Sequence, residues 1–248
     1  MRLVWLLVFA GLGMAAHAEP AADLIQQGDT LDAKNQNAAA LALYLKADQL
    51  EPGDAEVLRR ISKQYAQEMA DAPADQKEAL GEKALGYSKR AVQAGPDDSQ
   101  AHLSLAIVYG KIAFLKSARE RMEYSHLIKQ EAEKAIELDP KNDLAWHVLG
   151  RWNYEVANLS GALKFIAQTL YGKMPEASNE RALECFQKAV ALNPGRLLNH
   201  AELGRALAAV GRKDQARAAL KKALEMPSRE KDDDETKSRA RKALEALG

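Results

Sequence analysis

An all-α superhelix of stacked helical hairpins is the fold this sequence predicts, and three observations predict it. Ala, Leu, Lys, Glu and Gln dominate, β-branched residues are few, and the 8 prolines stand well apart, so the chain favours helix throughout. A hydrophobic helix closed by proline recurs: Ala47 then Pro52, Ala91 then Pro96, Ala135 then Pro140, Ala189 then Pro194, with the prolines 44, 44 and 54 residues apart. Finally, each closing helix carries the same face. Seven and three residues before the marker alanine stand Ala40 and Tyr44, Ala84 and Ser88, Ile128 and Ala132, Ala182 and Phe186, then Ala216 and Leu220 before Ala223. Residues so spaced share one stripe of a helix, which packs on the other helix of its hairpin.

In chain order, residues 1–18 read as an export signal. Arg2 is the positive n-region, Leu3 to Met14 form an apolar run, and Ala16-His17-Ala18 ends in small residues that a signal peptidase reads, giving a mature chain 19–248. No cysteine follows the run, so a lipoprotein anchor is not indicated, and nothing later is apolar enough to span a bilayer. The expectation is an exported, soluble periplasmic or secreted protein with no stable membrane span once the signal is removed. Lys plus Arg and Asp plus Glu balance at 35 each, which argues against a nucleic-acid partner. Cys185 is the single cysteine, so no internal disulfide holds the chain and packing must do so.

The mature chain divides into approximate units 21–52, 54–96, 98–140, 142–194 and 197–227, with a capping helix over 231–247. Prolines end the closing helices because they lack a donor and restrict the residue before them. Asp54, Asp97-Asp98 and Asn142-Asp143 then stand ready to cap the next helix. In the opening helices Trp146, Leu149 and Gly150 match the tetratricopeptide spacing, and His200, Leu203 and Gly204 repeat it. Leu24, Gly28 and Leu31, then Leu58, Ile61, Ser62 and Tyr65, then Leu105, Ala106 and Tyr109, give looser versions. A small residue at the hairpin contact lets two helices approach closely. The predicted fold is therefore a tetratricopeptide-like α-α superhelix with elongated central hairpins.

Units two to four exceed the roughly 34-residue repeat. The extra residues lengthen the two helices or loop out between them. In unit four the stretch containing Trp152, Leu159, Phe165, Ile166, Leu170 and Tyr171 is too apolar for a solvated loop. Either it seals the middle of the core, or Trp152, Leu159, Phe165, Ile166 and Tyr171 wall an apolar groove.

Further residues resemble the regulator of microtubule dynamics proteins, a tetratricopeptide-like family. The resemblance rests on Arg119-Glu120-Arg121 with Ile128-Lys129 and Ala135-Ile136-Glu137-Leu138-Asp139-Pro140. It continues through Leu149-Gly150-Arg151-Trp152 with Glu155-Val156-Ala157-Asn158-Leu159-Ser160, and through Leu170-Tyr171-Gly172, Pro175, Glu184, Phe186, Lys188, Ala189, Pro194 and Gly195. It covers essentially the whole mature chain, and the Arg-Trp and Glu-Val-Ala-Asn-Leu-Ser stretches are not demanded by repeat packing. The resemblance implies association with microtubules and spindle poles, or, as in one animal branch, a membrane-contact tether whose helical domain binds and transfers phospholipid. The anchored members keep their N-terminal membrane segment, whereas Ala16-His17-Ala18 invites its removal here.

Chemistry of the catalytic kind is not indicated. His17, His102, His126, His147 and His200 form no metal-ligand spacing, Cys185 has no evident base, and the glycines show no phosphate-cradling pattern, so neither enzyme, metal nor cofactor is expected. Arg151, with Arg119 and Arg121 in reserve, is the candidate contact for an anionic group, against the alternative of solvated helix faces paired with Glu120, Glu123, Glu131 and Glu155. The functional expectation is a binding or scaffold module that takes a peptide or protein on its concave face, with phospholipid in the apolar groove as the alternative.

Overall fold

A computed structural model of the chain describes residues 20–171 and 176–248. The described residues form twelve helices: α1 (Ala21–Asp32), α2 (Asn37–Leu50), α3 (Ala55–Asp71), α4 (Ala74–Ala94), α5 (Ser99–Ala113), α6 (Ala118–Leu138), α7 (Asp143–Ala157), α8 (Gly161–Tyr171), α9 (Asn179–Leu192), α10 (Leu197–Ala209), α11 (Lys213–Glu225) and α12 (Asp233–Glu245). The hairpins are α1 with α2, α3 with α4, α5 with α6, α7 with α9, and α10 with α11, and α12 packs on α10 and α11. The expected export signal lies outside the described residues, as does Pro175.

Helices α3, α5, α6, α7 and α9 start where the sequence supplies a side-chain acceptor for free N–H groups. Asp54 accepts from the Val57 N–H at 2.9 Å, Asp98 from Gln100 at 2.8 Å and Asn142 from Ala145 at 3.2 Å. Ser117 and Glu120 form a reciprocal capping box at α6, and Ser178 caps α9. In the two shortest units the opening helix is stopped by a left-handed residue at the same repeat position, Asn35 with φ 57° and Gly211 with φ 78°. The following N–H closes an identical bond in both, Gln36 to the Leu31 carbonyl and Arg212 to the Leu207 carbonyl, each 2.9 Å.

The extra residues do two different things. In units two and three they lengthen the closing helices α4 and α6 to 21 residues each. In unit four they form a separate helix: α8 is inserted between the paired helices α7 and α9 and rests on α6.

The hairpin contacts follow a rule of complementary volume. A Cβ on Gly28 would lie 2.5 Å from the Tyr44 ring, one on Gly150 2.9 Å from Phe186, and one on Gly204 2.6 Å from Leu220. Tyr44, Phe186 and Leu220 are all fully buried. Where the opening helix carries serine, at Ser62, its hydroxyl donates to the Ala84 carbonyl at 2.8 Å and hydrogen-bonds Ser88. Where it carries alanine, Ala106, the corresponding closing residue is Ala132. Bulk on one helix thus stands only opposite glycine on the other, which keeps interior packing dense without overlap.

A second device joins successive hairpins. Trp146 Nε1 donates to the Pro140 carbonyl at 2.9 Å, and Nε2 of His102 and His200 sit at the same 2.9 Å from the carbonyls of Pro96 and Pro194. The ring six residues beyond each of these prolines therefore satisfies a carbonyl freed by the helix stop.

Candidate functional site: the concave face

From α3 onward, successive opening helices touch one another: α3 meets α5, α5 meets α7, α7 meets α10 and α10 meets α12. Closing helices pack mainly on opening helices. Elements on the inside of a bend are crowded together, so the opening helices line the concave face of the superhelix.

Charges on this face are paired at both ends. At the N-terminal end Arg60 grips Asp29 with two bonds of 2.7 and 2.9 Å, Tyr44 donates to the same carboxylate at 2.7 Å, and Lys63 pairs with Asp32 at 2.6 Å. The Arg60 guanidinium holds the Asp29 carboxyl below the usual carboxylate range. At the C-terminal end buried Glu202 accepts from Arg205 at 2.7 Å, with Arg239 of α12 at 3.9 Å, and Arg205 lies 4.6 Å from the centre of the Tyr154 ring.

The two central opening helices differ. Lys111 of α5 and Arg151 of α7 are half-buried and make no hydrogen bond or ion pair among the described residues. Burial pushes the Lys111 ammonium below the ordinary lysine range. Beside Arg151 on α7, His147 is fully buried and its neutral form is favoured down to about pH 4, because burial penalises the imidazolium. Its Nδ1 and the Oδ1 of Asn199 are both buried without a well-formed hydrogen bond.

The structure separates the other residues singled out in the sequence. Arg119 is largely exposed and pairs with Glu123 at 3.5 Å, while Arg121 reaches the Lys116 carbonyl at 3.4 Å. Of the glutamates in the alternative reading, Glu120, Glu131 and Glu155 do not pair with Arg119, Arg121 or Arg151. Glu120 caps Ser117, Glu131 binds His102 at 2.6 Å, and Glu155 faces Arg205 at 3.9 Å, because each is nearer a partner brought in by the hairpin or the cap.

The expected apolar groove is not assembled from its described members. Trp152 is buried between α7 and α6, donating to Ser125 Oγ at 2.9 Å, whereas Phe165 on α8 is 69% exposed. Leu159 is half-buried, and the side chains of Ile166 and Tyr171 lie outside the described residues. Phe165 is therefore not a plug for the middle of the core either. A cavity of about 590 Å³ does lie against α6, but it is polar, lined by His102, His126, Lys129, Glu131, Glu133 and Lys134 among others. Lys129 and Lys134 are spent on Glu133 and Glu137, each at 3.0 Å. Cys185 is buried and its thiol is pushed up to about 12 by that burial, so it serves as packing for Gly150 rather than as a nucleophile.

Stacked hairpins with glycine-to-bulk contacts, proline stops and a concave face of opening helices define a helical-repeat protein of tetratricopeptide type. Solved structures share that fold. A thermophilic TPR protein of Thermus thermophilus superposes with a TM-score of 0.63 at 21% identity, covering 90% of this chain and 98% of the other. The pilF protein of Pseudomonas aeruginosa gives 0.57 at 14% identity, covering 92% and 88%.

Within that class, the chain belongs to the family described as Regulator of microtubule dynamics protein 1-3, whose profile matches residues 24–248. Mouse regulator of microtubule dynamics protein 1 is 28% identical over 227 residues, which cover 91% of this chain and 74% of the relative. Protein 3 of Xenopus laevis is 30% identical over 175 residues, 69% of this chain, and the match spans 38% of the frog protein.

Proposed function

We propose that this protein is a non-enzymatic binding module that holds an extended segment or a helix of a partner protein on its concave face. The observation that carries the reading is the contrast along that face: paired charges at its two ends, and on the central helices two half-buried cations, Lys111 and Arg151, without a partner among the described residues. Arg151 presents a planar fork suited to a carboxylate, whereas Arg119 and Arg121 stand on the closing helix α6 and are not among the contacts proposed for this face. The fold supports the same reading, since a curved row of helices offers one long surface for a chain to lie along. Trp152, Ser125 and the outward Phe165 leave the phospholipid groove without a described slot, so the protein partner is preferred. Export is part of the proposal, resting on Arg2, the apolar run and Ala16-His17-Ala18. Among the described residues no helix is long and apolar enough to cross a membrane.

Crosslinking in the native cell followed by mass spectrometry tests the reading. The expected result is one enriched protein whose crosslinks fall on α5, α7 and α10. Crosslinks confined to the closing helices, or co-purified phospholipid with no enriched protein, would overturn it. A filament subunit of tubulin type among the crosslinked proteins would favour the activity named in the relatives. Intact mass tests export separately, with a chain beginning at Glu19 expected and retention of Met1 counting against it.

A further inference from the structure

The superhelix bends far enough to meet itself. Lys231, in the connection between α11 and α12, places Nζ 3.0 Å from Oδ2 of Asp71 at the end of α3, across 160 residues of sequence. The connection is held in shape by its own bonds. Buried Asp233 accepts the N–H groups of Arg229 and Glu230 at 2.7 and 2.8 Å, Ser228 donates to Asp234 at 2.7 Å, and Arg196 holds Glu230 at 2.9 Å. These bonds set the path of the connection, and the Lys231–Asp71 pair alone ties it to α3 among the described contacts.

Lys111, half-buried on the opening helix α5, feels charges from both sides of this crossing, Asp232 and Lys231 of the connection and Asp71 and Lys63 of α3. Asp71 is engaged by Lys231 and Lys63 by Asp32, and Lys111 makes no hydrogen bond or ion pair among the described residues. A half-buried ammonium with no acceptor costs stability unless something else supplies one. Asp232 supplies a field and no contact.

We propose that the concave face is a channel in which Lys111 receives a carboxylate of an acidic partner segment, and that the α11–α12 connection is a strap which leaves Asp71 to admit it. This rests on the reading that the partner occupies the concave face. An incoming carboxylate gives Lys111 the charge-assisted bond it lacks. The strap can yield because the Lys231–Asp71 pair is solvent-accessible, and pairs of that kind are weak and screened by salt.

The test uses the mature full-length chain and two fluorescein-labelled probes, an octapeptide of glutamate and one of glutamine, followed by anisotropy. Lys111→Met removes the charge at similar length, Lys111→Arg keeps it, and Asp71→Cys with Lys231→Cys allows the strap to be tied by a reductant-cleavable bis-maleimide. Cys185 is buried and does not compete for the reagent. The acidic probe is expected to bind and the neutral one not. Lys111→Met should weaken binding by about tenfold, the loss expected of one charge-assisted contact, with an unchanged or raised melting temperature. Lys111→Arg should retain binding, and tying the strap should weaken it by a similar factor until the tie is cleaved. Unchanged affinity in folded Lys111→Met overturns the site, and equal affinity with the strap tied and untied overturns the gate. Absence of acidic binding, or equal binding of the neutral probe, overturns the acidic class. If cellular crosslinks still map to α5, α7 and α10 in that case, the concave-face reading survives the loss of this inference.

Discussion

At Gly150 two effects of opposite sign meet. In a helix interior alanine is favoured over glycine by about 1 kcal/mol, yet a Cβ there would stand 2.9 Å from Phe186 and 3.1 Å from Cys185, both buried. Packing decides, so Gly150→Ala is expected to destabilise by about 1–3 kcal/mol, partly recovered by Phe186→Leu. Gly86 on α4 has nothing within 4 Å of the same added atom, and Gly86→Ala should stabilise by about 0.5–1 kcal/mol. Urea unfolding of the variants checks both signs, and a destabilised Gly86→Ala would remove the argument. His147 gives a pH prediction. Its folded pKa of about 4 lies below the unfolded 6.5, so between these values the unfolded chain binds more protons. Its contribution is complete above pH 6.5 and is lost as the pH falls toward 4, about 3 kcal/mol in all. Urea midpoints of the parent should fall over that window more steeply than those of His147→Leu, and parallel profiles would refute the assignment.

The elements show which boundaries a chain announces locally. The N-caps at Asp54, Asp98 and Asn142 are legible because each satisfies its own helix within three residues. The capping box at Ser117 and Glu120 was equally legible as a serine three residues before a glutamate, though Glu120 reads first as an ion-pair partner. The partners of Glu131 and Glu155 come from other helices, and local spacing carries no record of them. Helix α8 is the element that departs most from the repeat. It rests on α6 while α7 and α9 pair without it, so it is an addition to a complete hairpin. Excision of residues 161–176, with a short Gly-Ser turn in their place, should leave a cooperative melting transition shifted by no more than about 5 °C. Circular dichroism on heating checks this, and loss of cooperativity would make α8 part of the core.

At the scale of the whole molecule the end cap and the closure matter most. Helix α12 covers Leu197, Leu220 and Ala223 at the last hairpin, and Arg217 of α11 donates to the carbonyls of Leu247 and Gly248 at 2.7 and 2.8 Å. That docking also sets the direction of the strap, because Asp233 opens α12 and bonds the loop before it. The cap is therefore continuous with the segment that crosses the concave face. Lys111 was absent from the residues singled out in the sequence. The available signal was a lone lysine between Tyr109, Gly110 and Ile112 in a helix with no other Lys, Arg, Asp or Glu.

By itself the sequence determined the helical class, the repeat register and the small-residue contacts, because all three depend on separations of a few residues along one helix or across one turn. Glycine opposite Tyr44, Phe186 or Leu220 is forced wherever that spacing recurs. Only the tertiary structure decided that Trp152 is buried and Phe165 exposed, and that Lys111 lacks a partner among the described residues while Lys231 reaches Asp71. The first two depend on how α7 and α8 lie against α6, and the Lys231–Asp71 contact on the bend accumulated over successive hairpins, which brings together residues 160 apart.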